Sequence, residues 1–145
     1  MTDQAAYETY RQAFFVDPAP EPRFSHSGIF GISLFFEPYH EAVAFYTRLL
    51  GPPAYVEGEY TRGWRIAGSW LTLLPAREGN PGNTEITLLV DSTAEVDRLG
   101  QVFVDAGGKA EEAFDDLMYE PLHLCPVADP FGTAFLIVAR LEDNQ

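Results

Sequence analysis

Cysteine occurs once in this chain, at Cys125. One cysteine excludes an internal disulfide framework and fits a reducing, cytoplasmic setting. In its apolar stretch it reads as core packing rather than as a reactive thiol. Long hydrophobic runs are also missing, and none approaches the roughly 20 residues needed to span a bilayer. The opening MTDQAAYETYRQAFF is acidic and polar where a secretory leader is basic and then apolar, so no leader is expected. Basic residues are scarce, 9 against 22 acids, for a formal net charge of −13. That balance argues against nucleic-acid backbones and anionic membranes as partners. It permits a cationic ligand, and it also serves plain solubility.

What is present is a folding chain. In 145 residues, 46% are hydrophobic and 14% aromatic, which excludes disorder and supplies a core for one domain or two intimately packed modules. Residues 29–36 (IFGISLFF) form an apolar run of strand length, interrupted by Glu37-Pro38. From His40 the period changes. Val43, Phe45, Tyr46, Leu49 and Leu50 share a helical face, Arg48 lies near the carbonyl end, and Gly51-Pro52-Pro53 stops the helix.

The same design recurs. ISLFFE (32–37) matches ITLLVD (86–91), and each is followed by a helix ending in glycine, at Gly51 and at Gly107-Gly108. Ser92 or Thr93 is suited to cap the second helix, whose stripe is Val96, Leu99, Val102, Phe103 and Ala106. After each helix short strands are expected: 54–57, 60–67 and 70–74 in the first half, and 109–114, 118–125 and 133–139 in the second. Asp115-Asp116 is read as the turn between two of these strands, and PVADPFG (126–132) as another. The expected organisation is an N-terminal helical extension with a Pro-rich linker (1–26), a first βαβββ module (27–76), a linker loop (77–83), a second module (84–141) and a tail (142–145). The fold class is α+β: two tandem modules forming a curved mixed sheet, helices on its outer face, with an open cleft.

Three local motifs, AVAFYTRLLG (42–51), AGG (106–108) and DPFG (129–132) before a last apolar strand, together with the repeat, resemble the vicinal oxygen chelate superfamily of glyoxalases, bleomycin-resistance proteins and extradiol dioxygenases. The resemblance covers roughly residues 29–140. It implies a concave small-molecule site and, in metal-dependent members, four His or Glu ligands on the first and last strands of each module. By register those positions fall at Gly31, at Leu71 or Thr72, at Glu85 and at Leu136. Only Glu85 is a metal-binding type, and His26, His40 and His123 do not evidently complete a set, so no metal and no cofactor are expected.

Strand alternation then gives the cleft. Ser33, Phe35, Glu85, Thr87, Leu89 and Leu136 point inward, with Trp70 and Thr72 or else Leu71 and Leu73 completing the first module. His123 joins them as a candidate beside Tyr119 and Glu120, the alternative being a hydrogen-bonded strand histidine. Glu85 is either a strand-end carboxylate in solvent or a carboxyl buried among Phe35, Leu89 and Leu136. Trp70 and Trp64 fit core or dimer contacts as well as a ligand platform.

The leading expectation is a metal-free homodimer that binds a small, partly hydrophobic and possibly cationic molecule through Ser33, Phe35, Trp70, Glu85, Thr87, His123 and Leu136. The alternatives are a metal-dependent lyase, isomerase or dioxygenase that uses Glu85 and a histidine, and an interaction module whose cleft is filled by its own side chains.

Overall fold

The computed structural model describes residues 4–23, 25 and 31–141. His26, the expected strand start at Ile29 and the tail 142–145 lie outside the described residues.

Helix α1 (Gln4–Phe14) is followed by β1 (Ile32–Phe36), α2 (Tyr39–Leu50), β2 (Tyr55–Val56), β3 (Arg62–Ile66) and β4 (Ser69–Pro75). The second half runs β5 (Glu85–Leu89), α3 (Thr93–Ala106), β6 (Lys109–Ala110), β7 (Phe114–Met118), β8 (Glu120–Ala128) and β9 (Ala134–Arg140). The first half forms a sheet in the order β1-β4-β3-β2. The second forms β5-β9-β8-β6, with β7 also paired to β8. In each, the strand before the helix pairs in parallel with the last strand, and the remaining pairs are antiparallel. The α+β class and the repeated module are therefore seen directly. The modules keep two hydrogen-bonded sheets rather than one continuous sheet.

The helix-facing sides of both sheets drain into one core. Leu34, Phe36, Trp64, Leu71 and Leu73 of the first module meet Phe103, Phe135, Ile137 and Val127 of the second, with Phe45 and Tyr46 of α2 between them. Arg48 does more than sit at its own helix end: its Nε donates to the carbonyl of Ala106 at 3.0 Å, satisfying an orphan acceptor of α3. Ser92 caps α3, its Oγ accepting from the Glu95 N–H at 3.1 Å. The helix closes through two backbone bonds, Gly107 N–H to Val104 and Gly108 N–H to Phe103, with Gly107 at φ 113°.

Two expected turns are corrected. Asp115 and Asp116 lie inside β7, and the chain turns at Tyr119 instead, with φ 69°. A tyrosine with positive φ is uncommon, and here α1 holds it: Tyr7 Oη donates to the Tyr119 carbonyl and the Tyr119 N–H donates to Tyr10 Oη. Asp115 stays in the strand because it bonds His123 across the ladder. Pro126 and Val127 likewise belong to β8 rather than to the following turn. The Pro126 carbonyl accepts from Glu111 on the β6–β7 side, so the donor that proline lacks falls in the gap between those two short strands.

Helix α1 has no buried residue. Residues 77–83 contain no helix or strand; Gly79 is tied to the end of β1 by bonds to and from Glu37.

Candidate functional site

Alternation along each strand assigns the faces turned away from the helices. In the first sheet, Ser33 stands beside Thr72, which stands beside Gly63, and Phe35 stands beside Leu74. Leu34, Leu71 and Leu73 are buried on the opposite side, so Trp70 and Thr72 are the cleft-facing pair and Leu71 and Leu73 are core. Phe35 is 51% exposed, which no isolated core residue would be. Trp70 is held in place. The Arg65 guanidinium lies 4.4 Å from its ring, Tyr55 meets it edge-on at 6.0 Å, and it lies over Gly63, where a Cβ would sit 3.3 Å from the indole.

In the second sheet, Glu85 stands beside Ala134, Thr87 beside Leu136, and Leu89 beside Val138. Glu85 and Thr87 are exposed, and Leu89 is 52% exposed. Glu85 thus takes the solvent position rather than the buried one. Arg62 bonds the carbonyls of Gly58 and Thr61, and Arg65 is occupied by Trp70. Leu136 is buried with Leu122, Leu124, Val138 and Met118 in a small second cluster on this face.

His123 does not join the group. It pairs with Asp115 and Ala139 on the helix side of β8, and its ring lies between two carboxylates: Nδ1 to Asp115 at 2.8 Å and Nε2 to Asp97 of α3 at 3.0 Å. Partial burial opposes a charge there, but the two carboxylate bonds outweigh it and raise the pKa above the ordinary histidine value. Its expected neighbours are engaged elsewhere, Tyr119 with α1 and Glu120 with Arg140 at 2.7 Å. The expectation of His123 as a ligand-facing residue is corrected: alternation from Leu122 and Leu124 sends it the other way. Cys125 is buried, its thiol pushed up by burial and by Asp97 and Glu111, and it donates to the Glu111 carbonyl.

A metal of the superfamily type does not fit these residues. At the four register positions stand Gly31, Thr72, Glu85 and Leu136, one carboxylate in all. Among the described residues no group of three or more His, Cys, Asp or Glu is placed to hold a metal ion. No helix among them is long and apolar enough to cross a membrane.

The DPFG turn shows what the sequence left implicit. Asp129 Oδ1 accepts from the N–H groups of Phe131 and Thr133, and Oδ2 accepts from Tyr46 Oη. The first two bonds are local turn chemistry. The third ties the first module's helix to the second module's last turn. A pocket at the module seam, lined in part by Ile32, Leu71, Leu88 and Phe135, also escaped sequence reading. From sequence alone Leu71 is open to either face, and Ile32 and Leu88 read as helix-facing.

The fold recurs in solved structures. An integron cassette protein from the Halifax Harbour sewage outfall metagenome is 17% identical, with 79% of this chain and 99% of that one covered at a TM-score of 0.64. Lactoylglutathione lyase from Agrobacterium tumefaciens is 18% identical, with 80% and 96% covered at 0.62. A glyoxalase/bleomycin resistance protein/dioxygenase from Nocardioides is 18% identical, with 97% and 96% covered at 0.64. No curated protein sequence matches the chain significantly. Residues 28–137 match the Glyoxalase/Bleomycin resistance protein/Dioxygenase superfamily, and the chain belongs to that superfamily.

Proposed function

We propose that this protein is a metal-free binding protein of the bleomycin-resistance type, cytoplasmic and homodimeric, which holds a small, partly hydrophobic molecule on the outward faces of its sheets. The observation that carries this reading is the exposure of Phe35 and Leu89 on those faces, interleaved with the hydroxyls of Ser33, Thr72 and Thr87. Large apolar side chains set among hydroxyls on an uncovered sheet face mark a surface that meets something else. A second copy laid over these faces turns each open face into a cleft. Trp70, fixed between Arg65 and Tyr55, supplies a rigid wall, and the exposed carboxylate of Glu85 favours a cationic or hydrogen-bond-donating end. We read the function as retention: among the described residues these faces carry aromatic and aliphatic side chains, hydroxyls and the Glu85 carboxylate, a lining suited to holding a ligand.

The test is sedimentation equilibrium combined with thermal shifts against a panel of amphipathic cations and neutral aromatics, with and without EDTA. A dimer, stabilised by panel members and indifferent to EDTA, supports the reading. A monomer, or a stoichiometric transition metal in protein purified without an affinity tag, overturns it.

A further inference from the structure

Where the two modules meet there is a cavity of about 140 Å³. Most of its wall comes from the other side of the sheets: Ile32, Ile66 and Leu71 approach from the helix side of the first, and Ile86, Leu88 and Phe135 from the helix side of the second, while Trp70 and Thr87 connect it to the outward faces. Leu71, Ile86 and Phe135 are buried and make its floor, while Ser69, Trp70 and Thr87 are partly or fully exposed at its rim. Among the described residues β1 and β5 are both edge strands and no ladder bonds join the two sheets, so side chains pack the seam between them.

We propose that this seam cavity is a binding site for a small neutral ring, of the size and polarity of benzene or phenol. Size sets the first limit. The pocket opens on one side, and its volume holds one small ring: an engineered cavity of about 150 Å³ takes up benzene, whereas drug-sized ligands need roughly 300 Å³ or more. Charge sets the second. Among the described lining residues none is ionisable, so a cation or anion drawn into the pocket would give up part of its hydration with no counter-charge there to replace it. The net charge of −13 does not alter this, because it resides on the surface. Polarity sets the third. The Ser69 and Thr87 hydroxyls stand at the rim, enough to bond one hydroxyl of a ligand and no more. The class is thus a monocyclic aromatic carrying at most one neutral polar group. The site shares Trp70 and Thr87 with the outward faces, and variants at Leu88 and Phe35 tell the two apart.

The test is thermal unfolding of the full chain with benzene, phenol, benzylammonium and benzoate, with methyl NMR as a second readout. Benzene and phenol should raise the melting temperature saturably and shift the methyl resonances of Ile32, Leu71 and Leu88, and the two charged rings should do neither. Leu88→Phe, which fills the cavity, should abolish the benzene shift, while Phe35→Ser on the outward face should preserve it. Ile66→Phe serves as a second filling variant if Leu88→Phe does not fold, and the methyl map of the unaltered protein localises the ring if neither does. Equal binding of benzylammonium or benzoate overturns the neutral class. A benzene effect that survives filling, methyl shifts confined to the outward faces, or no benzene effect at all overturns the site.

Discussion

Tyr46 Oη donates to Asp129 Oδ2 at 2.8 Å, joining α2 of the first module to the DPFG turn of the second, and both side chains are buried. Burial, then the neighbouring Asp129, drives the tyrosine pKa far up, so the hydroxyl remains a donor throughout the working range. Tyr46→Phe removes one bond to a buried carboxylate and should cost about 1.5–3 kcal/mol in urea unfolding. Asp129→Ala removes three acceptor bonds and should cost more. Equal stability of Tyr46→Phe and the unaltered chain would mean that the modules do not depend on this link.

His123 predicts a pH dependence. A neutral imidazole has one N–H to donate, so bonding both Asp115 and Asp97 requires the imidazolium. Its folded pKa is raised, so its stabilisation is complete below the ordinary histidine value near 6.5 and fades as pH rises through the folded value. The melting temperature should fall over that upper window by an amount that His123→Gln eliminates. A flat difference between the two proteins from pH 5 to 9 would contradict this.

Gly108 has no room for a side chain. A Cβ there would lie 2.4 Å from the Ala128 carbonyl oxygen and 3.1 Å from that of Phe103, both backbone atoms that cannot rotate away. Gly108→Ala should cost about 1–3 kcal/mol by overpacking. Gly107→Ala, at φ 113°, should cost a similar amount through backbone strain rather than contact. Chemical denaturation of both variants reads the two effects side by side.

Charges placed on the outward faces separate folding from assembly. Phe35 and Leu89 are about half exposed, so Phe35→Glu and Leu89→Glu should leave the monomer's fold, read by circular dichroism, unchanged. If those faces meet a second copy, the same changes should convert dimer to monomer in sedimentation and weaken binding of the amphipathic panel. A dimer that withstands both changes would place its interface elsewhere.

Helix α1 should be dispensable for the core. It contributes no buried residue and is held to Tyr119 by two hydrogen bonds, each worth about 0.5–1.5 kcal/mol. Deleting residues 1–15 should leave the fold intact and lower the unfolding free energy only modestly, measured by urea titration. A collapse of the fold would show that α1 is structural.

Much of the architecture follows from patterns that are local. The change of period after Glu37, the glycines at the ends of α2 and α3, the Ser92 cap and the DPFG turn each act within a few residues, and so does the matched ISLFFE and ITLLVD register that reveals the repeat. Alternation also settles which side of β1 and β5 faces away from the helices, because its period is fixed by backbone geometry.

Tertiary contact decided the rest. Residues 115 and 116 have turn-forming side chains, yet they lie in a strand, where Asp115 meets His123 across the ladder, and the chain turns at Tyr119, whose partners in α1 lie far away in sequence. His123 left the cleft through a facing choice that only the extended pairing of β8 fixed. The seam cavity is the gap between two sheets that do not bond to each other, and such a gap belongs to no single stretch of sequence. Local geometry is encoded residue by residue, whereas the space between modules depends on how rigid, packed surfaces meet, a property of the assembled core.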